Sequence, residues 1–338
     1  MFRLEWVIRF ALFLAAGVWG DNTLAEIITI NLNAPQGFAK LQELIDDLGE
    51  RRRRGQVGQS QVPLKPPRVN YGFTGEELDD FLYHSLISGC TQEMVDTQLC
   101  YCKGKFEEAT IFDDSEIEAR TAVAVDLTHK LIVVSYRLTV GLKNWETNAD
   151  RELVSYPFPG GEEKVHRGHL KWYLALKKPT ERKVIELFNT SRYQNFTLHV
   201  TGYSLGGSVT AISMPAWLSL LEAQGLKNKA RFFDYSGPRP GNVAFAKYLE
   251  TLDAPLVRYA KKGDVVPHLP DQYMGYSQVG QEYYDSELTP FVRSQLKQCS
   301  PNFVQDSNCG MKDTEFAIAN HFFPFNRPMP TPPFCYHS

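Results

Sequence analysis

A chain of 338 residues with 43% hydrophobic content has room for one large α/β domain or two small ones, and enough apolar surface to bury a core. Its formal net charge of −3 supplies no attraction for nucleic acid and suits an uncharged or small substrate. The basic cluster Arg51-Arg52-Arg53-Arg54 stands apart from the segments that carry the core pattern.

The N-terminus reads as an export signal. Arg3 and Arg9 lead into the apolar run FALFLAAGVW at 10–19, and Gly20 puts a small residue before the polar Asp21. Residues 1–20 are therefore expected to be a signal peptide, too short for a comfortable membrane span. No later stretch approaches ~18 apolar residues, which predicts a secreted, extracellular protein with no transmembrane segment. Two acceptor sequons, at Asn189 and Asn195, suit that route, although Asn195 abuts a predicted strand. The cysteines are Cys90, Cys100, Cys102, Cys299, Cys309 and Cys335, and an even count in an exported chain favours disulfides over metal ligands. Cys100-Tyr101-Cys102 has no second Cys/His pair at finger spacing, so no metal is expected there.

Residues 21–67 differ in character from the rest of the chain. They hold a short amphipathic helix over 38–48, the run RRRRGQVGQSQ and the proline-rich VPLKPP. A four-arginine run in a Gly/Gln-rich linker is a natural cleavage site, so this region is expected to be a pro-segment, removed to about residue 54, with a linker after it. A retained flexible arm is the competing reading. The folded domain is placed at 68–338, its globular part beginning near Tyr71.

Within that domain, residues 76–88 predict a helix with Leu78, Phe81, Leu82 and Leu86 on one face. Strands are expected at 121–126 and 131–136, joined by the tight hairpin 127–130. Residues 140–159 are polar without a clean period, and 165–187 read as a helical region interrupted at Pro179. A strand at 197–200 runs into Gly202-Tyr203-Ser204-Leu205-Gly206, from which a helix leaves over 205–221. Then come a strand at 231–235, a turn at 237–241, a helix at 242–252 and a strand at 256–260. Alternating strands and helices imply a mostly parallel sheet covered by helices.

The G-x-S-x-G segment lies on the strand-to-helix junction, where small flanking residues let a serine occupy a sharp turn with its hydroxyl exposed over the sheet. Ser204 is thereby offered as a nucleophile, and the N–H of Leu205 at the helix start points toward any oxyanion formed there. The pattern alone also describes a Gly-rich turn without chemistry. A serine nucleophile at neutral pH needs an imidazole base and a carboxylate to orient it, in the chain order Ser, acid, His. Asp264 directly follows the strand at 256–260, against the plainer reading of a turn aspartate, whereas Asp234 lies inside a strand and Asp253 ends a helix; Asp271, further from a strand end, stays a second candidate. Among eight histidines, His84, His129, His166, His169 and His199 precede the serine, His268 is too close to Asp264 in the chain, and His337 is penultimate. His321 remains by elimination, against the plainer reading of a buried, hydrogen-bonded histidine.

The chain resembles the extracellular lipases of filamentous fungi, in the group called lipase class three, which also includes feruloyl esterases. The resemblance runs from about Tyr71 to Cys335 through AVAVDLTHKLIVVSYRLT at 122–139, KNW at 143–145, KVHRGHL at 164–170, VTGYSLGG at 200–207, GPRPGNVAFAKYL at 237–249, GDVVPHLP at 263–270 and GQEYY at 280–284. It implies an α/β-hydrolase fold with a lid, a Ser204, His321 and Asp264 triad, and an oxyanion hole shared by Thr139 and Leu205. It implies a lid helix over 141–150, with Leu142 and Trp145 as its strongly apolar residues and Trp145 its anchor. It also implies disulfides Cys90–Cys335, Cys100–Cys102 and Cys299–Cys309, no cofactor, and an ester substrate, a lipid at an oil–water interface above all. Three departures stand out: Tyr203 where the family usually has histidine, Leu138 where it has glycine, and Asn148 where it has an aspartate. The polar lid sequence GLKNWETNAD keeps a feruloyl esterase as the runner-up, and Leu138 keeps a catalytically silent binding protein as a third reading.

Overall fold

The computed structural model describes residues 46–47, 49–51, 53–54, 73–97, 100, 106–138, 151–157, 161–226, 229–288, 296–300, 306–327 and 329. The expected signal peptide, most of the expected pro-segment and linker, and Thr139, Leu142, Trp145, Cys102 and Cys335 lie outside these residues.

The first element of the domain, α1 (Gly75–Leu86), starts where its sequence dictates. Thr74 accepts a hydrogen bond from the Glu77 N–H at 3.1 Å, and the Glu77 carboxylate accepts the Thr74 N–H at 2.9 Å, a reciprocal cap. Leu78, Phe81, Leu82 and Leu86 are buried, as their spacing predicts. A short α2 (Gln92–Asp96) comes next, capped by Thr91. Then come β1 (Glu107–Asp114), β2 (Ala119–Asp126), β3 (Leu131–Tyr136), β4 (Leu153–Ser155), β5 (Lys164–His166) and α3 (Arg167–Asn189). After them lie β6 (Thr197–Tyr203), α4 (Leu205–Ala223), β7 (Ala230–Tyr235), β8 (Gly241–Asn242), α5 (Val243–Glu250), β9 (Leu256–Lys261), β10 (Tyr276–Ser277), β11 (Gln281–Asp285) and β12 (Leu296–Gln298).

Eight strands form the central sheet in the order β1-β2-β3-β6-β7-β9-β11-β12. The run from β3 to β11 is parallel, with antiparallel strands at both edges. The central strands are buried on both faces, which is why they read as near-continuous apolar runs. Ile132 and Val134 point into a core with α3 and α4, containing Trp172, Val184, Ile212 and Trp217. Leu131 and Val133 point the other way, into a second core built on α1 and the aromatic residues Tyr203, Phe233, Tyr235 and Tyr259. A small antiparallel sheet, β10-β8-β5-β4, lies outside this frame.

Two expectations are corrected. Pro179 does not interrupt α3, which runs through it unbroken. The carbonyl that the proline ring displaces belongs to Ala175, an exposed residue on the solvent side of the helix, while buried Trp172, Leu176 and Val184 hold the helix to the core on either side. The disulfide pairing also differs: Cys90 is bonded to Cys100, not to Cys335, and Cys100 is therefore not bonded to Cys102. The five-residue α2 turns the chain back at once, and the Cys100 N–H donates to the Met94 carbonyl at 3.0 Å, which places the two Cα atoms 5.7 Å apart. Cys299–Cys309 forms as expected.

Candidate active site

Ser204 stands between β6 and α4 with φ 56° and ψ −125°, a conformation few L-residues adopt. Its N–H donates to the Tyr235 carbonyl at 2.8 Å, and its carbonyl accepts the Gly207 N–H at 2.9 Å. The turn closes only because Gly202 and Gly206 lack side chains: a Cβ on the first would run into the Gly206 backbone, and one on the second into the Tyr136 carbonyl. Ser204 is half-exposed while its neighbours Tyr203 and Leu205 are buried. As the first residue of α4, Leu205 has an N–H with no acceptor inside the helix.

β9 ends at Lys261, and Gly263, with φ +67°, turns the chain so that Asp264 is wholly buried at the same edge of the sheet. Asp264 Oδ1 accepts the Val266 N–H at 3.0 Å, and its Oδ2 lies 2.8 Å from His321 Nδ1. His321 sits in the short 3-10 turn Ile318–Phe322 and is buried. The two loops are stitched together: the Gly263 N–H donates to Asp313 at 3.0 Å, the Ala317 N–H to the Gly263 carbonyl at 2.9 Å, and Asn320 Nδ2 to the Lys262 carbonyl at 3.3 Å. A proton shared between Nδ1 and the carboxylate leaves the Nε2 lone pair as the basic site.

Among the described residues no hydrogen bond joins the Ser204 hydroxyl to His321; the link between the two segments runs through Tyr203. Its phenol donates to the His321 carbonyl at 2.6 Å, and the two rings are 5.2 Å apart. Hydrogen bonds between nucleophile and base are commonly long in unliganded sites and tighten when substrate arrives. In the sequence Tyr203 stands out only as a departure from a family pattern. Its position beside Ser204 is visible there, but its partner lies 118 residues on.

The competing residues have other occupations. His268 packs against Phe316 with ring centroids 4.9 Å apart, and Asp271 accepts the Tyr273 N–H at 3.2 Å. His166 and His169 stack on each other at 3.6 Å, and His169 reaches Ser208 Oγ at 2.7 Å. Asp234 faces Gly202 across β6 and β7, accepts the Gly237 N–H at 2.7 Å, and is pushed up to about 7 by burial, with opposing contributions from Arg258 and that hydrogen bond. Leu138, where the resemblance predicts glycine, packs onto the second core. Burial lowers the neighbouring Arg137 guanidinium to about 10, helped by the like charge of Arg120.

Residues 133–274 match the family model for lipase (class 3). The chain is 28% identical to a lipase of Rhizomucor miehei over 207 residues, 60% of this chain and 54% of that one. It is 31% identical to the secreted mono- and diacylglycerol lipase A of Penicillium cyclopium over 175 residues, 51% of this chain and 54% of that one. The chain thus spans about half the length of the curated relatives it matches. Among solved structures, the native Rhizomucor miehei lipase propeptide complex superposes with a TM-score of 0.65 at 22% identity, covering 80% of this chain and 91% of that one. That likeness establishes the fold, an α/β-hydrolase with a mostly parallel sheet and flanking helices. The matched range contains Ser204 and Asp264 but ends before His321, whose place is shown by the geometry alone. Through this segment, with its elbow and the sheet that carries it, the chain is similar to lipases of class 3.

Proposed function

We propose that the protein is a secreted carboxylic ester hydrolase, a triacylglycerol lipase or a lipase of partial glycerides, working through an acyl-enzyme on Ser204. The observation that carries this reading is the 2.8 Å Asp264–His321 pair, buried at the sheet edge and tied by Tyr203 to the strained serine turn. His321 Nε2 takes the hydroxyl proton as Ser204 attacks the ester carbonyl, and Asp264 stabilises the imidazolium that forms. The oxyanion is held by the N–H of Leu205 and by Thr139, the latter by family resemblance. The alcohol leaves with the proton from His321, and water then frees the acyl group by the same steps. The reaction needs no cofactor.

Export through a signal peptide at 1–20 belongs to the same proposal, as does glycosylation at Asn189 and Asn195, both exposed. No helix among the described residues is long and apolar enough to cross a membrane. Residues 21–54 act as a pro-segment in this reading. Arg53 donates to the Thr314 carbonyl at 3.4 Å and Arg51 lies 5.6 Å from the Tyr273 ring, so these two arginines reach the stretch of chain between Asp264 and His321. A fluorophosphonate probe tests the core of the proposal. Stoichiometric labelling at Ser204 of the processed protein is expected, and a folded protein that takes up no label is not a serine hydrolase. Hydrolysis of emulsified triolein faster than methyl ferulate is the expected substrate result. The reverse order would make the protein a feruloyl esterase.

A further inference from the structure

Far from Ser204, at the other end of the parallel strands, three elements bring imidazoles around one carboxylate. β2 ends at Asp126, the turn after it carries His129, α1 supplies His84 and β6 supplies His199. The register fixes the separation. Asp126 faces Leu131, and Leu131 faces Thr197 at the start of β6, whereas Ser204 follows the last residue of that strand. Asp126 Oδ2 is 2.9 Å from His84 Nε2 and 2.7 Å from His129 Nδ1, and Oδ1 accepts the His129 backbone N–H at 3.1 Å. Burial works to raise the Asp126 carboxyl, but the hydrogen bonds from the two histidines outweigh it and hold the group well below the usual carboxylate range. The serine chemistry uses none of these residues.

We propose that His84 Nε2, Asp126 Oδ2 and His129 Nδ1 form a binding site for a divalent transition metal, zinc or an ion of similar softness. The three ligand atoms lie within 4.8 Å of one another. Two imidazoles and one carboxylate are a donor set for zinc and its neighbours, and three protein ligands leave a fourth position open. Tetrahedral ligands at zinc distances stand about 3.3 Å apart, so Oδ2 and the two nitrogens need separate by only roughly 0.5 Å to admit the ion. Asp126 and His129 belong to one turn already locked by the backbone hydrogen bond, which makes them a preformed chelate. The His129 side chain is 37% exposed while His84 and Asp126 are each 1% exposed, so an ion reaches the site from solvent without opening the core.

His199 is excluded from the ligand set. Arg231 Nε donates to its Nδ1 at 3.0 Å, which fixes the ring proton on Nε2, and burial together with the Arg231 charge keeps the ring neutral. Among the described residues that Nε2–H has no hydrogen-bond partner, in a side chain of zero exposure whose ring is 5.2 Å from that of His84. A water or anion on the open position of a bound ion supplies the kind of acceptor it lacks. The Arg231 cation is held over the Phe81 ring, 4.3 Å from its centre.

The test uses the full chain, purified without a polyhistidine tag and stripped with chelator. Zinc is titrated by calorimetry, and cobalt by its visible absorption, which reports tetrahedral nitrogen and oxygen ligation. One equivalent of saturable binding is expected, with a rise in melting temperature that chelator reverses. His129→Ala should weaken zinc binding by ~10-fold or more, and His129→Asn, which keeps a donor to Asp126, should lose it equally. Fluorophosphonate labelling of Ser204 should be the same in all three proteins, so that failure of the metal site and failure of the hydrolase reading are told apart. No saturable binding in the unmodified chain, or undiminished binding in a folded His129 variant, would show that the cluster is a set of hydrogen bonds only.

Discussion

Tyr203→Phe is the sharpest test of how the active site is held. Tyr203 is 1% exposed, and its 2.6 Å hydrogen bond joins the residue beside Ser204, the proposed nucleophile, to the backbone of His321, the proposed base. Phenylalanine keeps the ring and its packing in the second core, so no cavity forms and the perturbation is confined to one hydrogen bond. Leaving a buried carbonyl without its donor costs about 1 to 3 kcal/mol. If the bond serves to hold His321 in line with Ser204, that energy appears in the acylation barrier, a fall in kcat of roughly 5- to 160-fold. KM for a short, soluble p-nitrophenyl ester should change little, because the phenol does not touch substrate, and the rate of fluorophosphonate labelling should fall with kcat. The reasoning fails if the variant melts at a lower temperature while its kcat stays within about twofold of the parent. Tyr203 would then be a packing residue with a hydroxyl that matters to stability alone.

The same geometry sets three further outcomes. Asp264→Asn should lower kcat by about 10⁴-fold and Ser204→Ala by at least that, both with unchanged circular dichroism; a Ser204→Ala protein that retains near-full activity would show that another residue is the nucleophile. Gly206→Ala drives a Cβ into the Tyr136 carbonyl, so it should give either an insoluble protein or a folded one with no labelling at Ser204. Asp234→Asn tests the buried carboxyl raised from 3.8 to about 7. A raised carboxyl pKa costs nothing below about pH 4, and the cost builds as pH rises to about 7, reaching at most about 4 kcal/mol above it. Denaturation at pH 5 and pH 8.5 should therefore show the parent losing stability with alkalinity and the Asn variant losing less; equal slopes would mean that Asp234 titrates normally.

Much of this architecture is legible in the residues because it is local. Apolar, β-branched and aromatic runs place the strands at 131–136 and 231–235, the spacing of Leu78, Phe81, Leu82 and Leu86 marks the first helix, and the glycines at 202 and 206 announce a turn too tight for side chains. The edge strands β1 and β12 escape such a reading, since half-exposed strands carry little apolar signal. Pro179 misleads for a related reason: its cost depends on whether one carbonyl faces water or core, which a linear pattern does not encode.

Chain order and residue type bring Ser204, Asp264 and His321 forward as candidates, because serine hydrolysis demands few groups, but they leave Asp271 and a merely hydrogen-bonded histidine as competing readings that the family resemblance argues against. What tertiary structure decided was every relation across distance. The stitching of the 263 and 320 loops, the phenol of Tyr203 on the His321 carbonyl, the Cys90–Cys100 bond and the gathering of His84, Asp126 and His129 each join segments whose separation in sequence says nothing of their separation in space. Such contacts are fixed by how the helices pack on the twisted sheet, and that packing is a property of the whole chain.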